Sequence, residues 1–63
     1  MTIDAVFRHN DGCVYNELFP SPSSFLRAVR SRKKDELVHA VDYDKAFIIY
    51  PSTLPDYKRV IST

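Results

Sequence analysis

Arg27, Arg30 and Lys34 stand at i, i+3 and i+7, a spacing that puts all three on one face of a helix. Such a stripe can grip phosphates or an acidic protein surface through charge-assisted hydrogen bonds. Arg32 and Lys33 fall between them, so five of the nine bases occupy eight consecutive positions. Ser23 and Ser31 are near enough to add hydroxyls. The plainer reading is a solvated outer face whose last-turn bases complement the helix dipole. Both readings stand at this point, with the clustering as the electrostatic footprint of a binding surface.

His9, Asp11 and Cys13 form a second group, because a tight turn at Asn10-Asp11-Gly12 sets His9 opposite Cys13. Zinc needs three or four ligands, and the only other histidine, His39, is placed on a different hairpin. The expectation is therefore a turn-flanking histidine and a small buried thiol, with no metal and no cofactor. One glycine cannot make a phosphate loop, and neither a nucleophile elbow nor a Cys-His-Asn arrangement can be read. No catalytic residue is assigned, and a binding protein, not an enzyme, is expected.

Four tyrosines and four phenylalanines must mostly be core in a chain this short. Tyr43, in a turn, and Tyr57, beside Pro55, are expected to be exposed and to contact a partner, as interface aromatics do. Acids between Asp35 and Asp56 surround Tyr43 and would repel a phosphate backbone. Nucleic acid could then be held only by the basic helix.

The elements that would position these groups can be read in order. Residues 3–19 predict a hairpin in which Gly12 takes the left-handed position of a three-residue loop. That register pairs Phe7 with Tyr15 and gathers Ile3, Ala5, Phe7, Cys13, Tyr15 and Phe19 on one face. Ser21 and Pro22 predict a helix start, with Ser24 standing where a capping box would want Glu or Gln. The helix should bury Phe25, Leu26 and Val29 and end near Lys34. Residues 37–42 suit either a strand or a helical extension, and the following Asp-Tyr-Asp-Lys turn favours the strand. The apolar run through Tyr50 predicts a central strand. Residues 57–61 could return as a fifth, edge strand, through which two copies would pair into a homodimer. The fold class expected is α+β: a small single-layer antiparallel sheet, β-β-α-β-β with that possible fifth strand, packed against one helix. From Gly12 to Val29 the strand, Phe19-Pro20-Ser21-Pro22-Ser23 and helix resemble modified-DNA reader domains of the RAMA type. The resemblance covers under a third of the chain, and the tryptophan-bearing segment that should follow is missing.

Sixty-three residues make one domain, which buries only about 60% of its unfolded surface and gains from a staple. Cys13 is the sole cysteine, so that staple is no internal disulfide; a reducing, cytoplasmic setting is expected. The first residues lack a basic and apolar leader, and no apolar run approaches membrane-spanning length, so no membrane partner is expected. Net charge of +1 hides separated basic and acidic blocks, a polarised surface suited to a protein partner. The reading that results is a small regulator or inhibitor that binds another protein, of the kind phages and mobile elements encode against a host enzyme. The alternative is nucleic-acid binding through residues 27–34.

Overall fold

The computed structural model describes residues 2–62. Its elements are β1 (Ile3–His9), β2 (Val14–Phe19), α1 (Pro22–Ser31), β3 (Asp35–Asp42), β4 (Phe47–Ile49) and α2 (Leu54–Ser62). The strands form one open sheet in the order β2-β1-β3-β4, antiparallel throughout. This is the expected α+β class, with a second helix where a fifth strand was predicted.

The first hairpin follows the predicted register. Phe7 faces Tyr15, the His9 amide donates to the Cys13 carbonyl at 2.7 Å, and the Gly12 amide to the His9 carbonyl at 2.9 Å. Gly12 has φ +94 and open space where a Cβ would sit, so backbone conformation alone calls for glycine there. Ile3, Ala5, Phe7 and Phe19 are buried on one face. Cys13 is exposed, contrary to expectation, because it lies in the turn beyond the last ladder pair, Arg8 with Val14.

At the start of α1, Ser24 completes a capping box. The Ser21 hydroxyl accepts from the Ser24 amide, and the Ser24 hydroxyl accepts from the Ser21 amide. The helix stops at Ser31, three residues short of the predicted end. Arg32 leaves the helical region with ψ 78, while its amide still donates to Ala28 at 2.9 Å. Lys33 and Lys34 therefore fall in a turn.

Residues 35–42 are a strand with an irregularity. Val6 pairs with His39 but Phe7 with Leu37, so Val38 is an extra residue and the buried positions run Leu37, Ala40, Asp42. The Lys45–Tyr50 run is not central: it yields the three-residue edge strand β4, with Ile49 buried and Ile48 54% exposed. Beyond it, Leu54, Tyr57 and Ile61 recur at i, i+3 and i+7 and pack into the core from α2. Tyr57 is fully buried, not a surface tyrosine, and the homodimer predicted through a C-terminal strand has no strand to use.

Phe25 and Ala28 of α1 and Tyr57 of α2 join the same core as the inward sheet residues. Both helices thus cover one face, and the other carries Val14, Leu18 and Ile48, each more than half exposed. Among the described residues no helix is long and apolar enough to cross a membrane.

The one buried acid ties α2 to the β3–β4 turn. Asp42 Oδ1 accepts from the amides of Asp44 and Lys45 at 2.9 and 3.2 Å, and Oδ2 accepts the Tyr57 hydroxyl at 2.7 Å. Burial and the adjoining Asp42 push the Tyr57 hydroxyl pKa well up, so it stays a donor. Tyr57→Phe leaves one carboxylate oxygen buried without its hydroxyl partner. The expected cost is ~1–3 kcal/mol, and each kcal/mol lowers the melting temperature of a domain this size by roughly 4–8 °C. Thermal unfolding followed by circular dichroism measures it; an unchanged midpoint would show that the pair contributes nothing.

Candidate functional site

The fold scatters the basic block of residues 27–34 over three places. Arg27 and Arg30 project from the exposed side of α1. Lys33 and Lys34 lie in the α1–β3 turn. Arg32 turns inward: its guanidinium makes two hydrogen bonds with Glu17 of β2, at 2.8 and 3.1 Å, and a third with the Tyr15 hydroxyl at 3.3 Å. Its Cζ lies 5.3 Å from the Phe7 ring centre and 5.6 Å from that of Phe19, covering the core edge with a cation–π contact. Arg32 thus closes the structure, a role that clustering alone did not reveal.

Arg32 belongs to a chain of polar groups at one end of the sheet. Tyr15 donates to Asp35 Oδ2, and Asp35 Oδ1 is hydrogen-bonded to His9 Nδ1. The run Glu17–Arg32–Tyr15–Asp35–His9 therefore joins β2, the end of α1, β3 and β1. Hydrogen bonds from Tyr15 and His9 hold the Asp35 carboxyl below its ordinary range, and Arg32 does the same for Glu17. The Asp35 hydrogen bond raises the His9 imidazole pKa above 6.5, outweighing the opposing effect of burial.

Next to this network lies an open cleft of about 330 Å³, lined in part by Arg8, His9, Lys33, Lys34 and Glu36. An imidazole oriented by a carboxylate suits proton transfer. The Asp35 carboxylate, however, is engaged by Tyr15 and His9 together, and Glu36 reaches Arg8 at 3.4 Å. The arrangement fastens the turn Asn10–Cys13 to the start of β3. Among the described residues no group of three or more His, Cys, Asp or Glu could hold a metal.

A second concavity runs between the helices. Leu26, Val29 and Arg30 of α1 and Lys58 of α2 line a groove of about 430 Å³. Leu26 and Val29 are half-buried against the core, while Arg30 and Lys58 are exposed and have no carboxylate within ion-pair distance among the described residues. Of the predicted contact residues, Arg30 lines this groove and Arg27 stands one turn earlier on α1. Lys34 lines the other cleft, Tyr43 is 65% exposed in the β3–β4 turn, and Tyr57 is interior. Lys58 falls within residues 57–61, expected as an edge strand; the Leu54-Tyr57-Ile61 spacing is the signal that places it on a helix. No family model, curated protein or solved structure matches this chain.

The His9–Asp35 pair makes stability depend on pH. Below 6.5, the ordinary imidazole value, His9 is protonated in both folded and unfolded chains, and its ion pair with Asp35 contributes fully. As pH rises through the raised folded pKa, the proton leaves and that contribution is lost. At the acid end, Glu17 and Asp35, whose pKa values are depressed, give up their contributions as pH falls below about 4 and through their folded values. Melting curves from acid to mildly alkaline pH should show stability declining in the native chain as pH rises from 6.5 through the raised folded value, and a flatter profile in His9→Gln. Parallel profiles for the two would refute the assignment.

Proposed function

We propose that this chain is a small non-enzymatic regulator or inhibitor that acts by binding another protein, and that the groove between α1 and α2 takes an acidic, partly apolar segment of that partner. The observation that carries the reading is the make-up of the groove: an apolar wall of Leu26 and Val29 beside two cations, Arg30 and Lys58, that have no carboxylate within ion-pair distance among the described residues. Apolar surface supplies affinity by leaving water, and unpaired cations select carboxylates and speed encounter. Arg27 extends the positive edge one turn further. A host enzyme or defence complex is the class of target, and the cytoplasm of an infected cell the setting, that this reading favours.

The dispersal of the basic block weighs against nucleic acid. Arg32 is committed to Glu17, and Lys33 and Lys34 lie in the turn beyond the end of α1. What remains is a pair of arginines, a smaller footprint than the row of phosphate contacts that sustains tight binding.

Capture of a partner from nuclease-treated host lysate tests the proposal. Replacing both cations, Arg30→Glu with Lys58→Glu, should weaken capture of one protein by at least about tenfold, a loss of ~1.4 kcal/mol, with the circular dichroism spectrum unchanged. Retention of an oligonucleotide instead, with affinity falling steeply as salt rises, would overturn it.

A further inference from the structure

We infer that the bare face of the sheet is the contact surface for a second copy of this chain, related by a two-fold axis that crosses the strands at Val6. The pairing registers set the outward residues in three rows. The first is Leu18, Asp4, Val41 and Ile48; the second Asn16, Val6 and His39; the third Val14, Arg8 and Glu36. Each row alternates with the buried positions Ile3, Ala5 and Phe7, so all three look away from the helices.

A two-fold axis in the plane of the contact, at right angles to the strands and through the middle row, lays the first row of one copy on the third row of the other. Asp4 then meets Arg8 of the second copy, and Arg8 meets its Asp4. Leu18 meets Val14, and Val6 meets Val6. Two ion pairs thus flank the Val6 pair, with Asn16 and His39 each meeting its own copy and Val41 meeting Glu36, and the two charges of β1 complement each other as an isologous contact requires. The sheets pack at about 30° to each other, which splays the edges but leaves β1, at the axis, in place. Both charges have capacity to spare: Asp4 accepts one hydrogen bond from Asn16, and Arg8 and Glu36 make only an exposed 3.4 Å contact.

The area suffices. Strands of seven, six, eight and three residues at ~3.4 Å rise and ~4.8 Å spacing give roughly 400 Å² of flat sheet per copy. Allowing for side-chain relief, two copies bury on the order of 1,000 Å², the lower bound of a specific interface. Val14 and Leu18, at 58% and 62% exposure, are the apolar groups that would leave water. A second copy also supplies the staple that a domain of this size gains from. The face lies across the sheet from the α1–α2 groove, so this inference stands or falls apart from the proposed function.

Sedimentation equilibrium over a wide concentration range, with two charge variants, tests it. The native chain should be in monomer–dimer equilibrium. Asp4→Arg sets like charges opposite at both ends of the contact, as does Arg8→Asp, so each variant alone should associate at least tenfold more weakly. Mixed in equal amounts, one chain positive at both positions and the other negative, the two should form a heterodimer and recover association. That recovery also shows both variants to be folded. A native chain that stays monomeric at every concentration, single variants that associate as the native chain does, or a mixture of folded variants that stays monomeric would each overturn the inference.

Discussion

A continuous run of aromatic rings ties the elements of this fold to one another. Tyr15 stacks on Phe7 at 5.6 Å, Phe7 meets Phe19 at 6.3 Å, and Phe19 meets Phe25 at 5.7 Å. Phe25 continues to Tyr57 at 6.2 Å, and Tyr57 to Phe47 at 5.5 Å. The six rings come from β2, β1, α1, α2 and β4, so only β3 is outside the run. Edge-to-face and offset contacts of this kind add ~0.5–1.5 kcal/mol per pair to simple burial. In a chain too short for a deep core, large rings let few side chains fill the space under two helices. They also fix its sidedness: all six rings of the run lie on the helix-bearing face, and among the described residues no element covers the other.

Polar groups close the two ends of that run. Arg32 lies over Phe7 and Phe19 and is held there by Glu17 and Tyr15, while at the far end Asp42 receives the Tyr57 hydroxyl. Among the described residues no buried side-chain polar atom lacks a hydrogen-bond partner. The Asp42 carboxylate also holds the amides of Asp44 and Lys45, and Ala46 completes that turn at φ 51, a conformation that costs roughly 1–2 kcal/mol outside glycine. The same acid therefore shapes the turn and anchors α2 beside it. Losing its hydroxyl partner is felt in both.

How far the sequence discloses this depends on how local the signal is. Gly12, Ser21 and Pro22 act within a few residues, and the turn, the register and the helix start follow from them. Residues 37–42 resist reading because the bulge at Val38 spaces the buried residues Leu37 and Ala40 three apart, a helical interval inside a strand. Residues 54–61 mislead for the opposite reason. Tyr57, Arg59 and Ile61 alternate as a strand would, and the helical interval becomes visible only when Leu54 is included, along with the helix-start pattern Thr53-Leu54-Pro55-Asp56. The candidate site is less legible still. Arg27 and Arg30 could be placed on an exposed helix face, but Arg32 and Lys34 depend on where that helix ends, and Lys58 depends on a helix docking from the far end of the chain.

The two edges of the sheet differ in kind from its bare face. Edge strands invite pairing with another chain unless shortened, interrupted by proline or given an inward-pointing charge. β4 is three residues long and is followed within two positions by Pro51. β2 is bounded by Pro20 and carries Glu17 among its core-facing positions, where Arg32 holds it. Both edges are thus guarded by the means known to stop strand addition. The face is not: Leu18 and Val14 on β2 and Ile48 on β4 present branched apolar groups, where a sheet solvated on one side calls for polar ones. A chain that protects its edges and leaves its face apolar has closed the route to open-ended strand pairing and kept the route to a closed, two-fold contact.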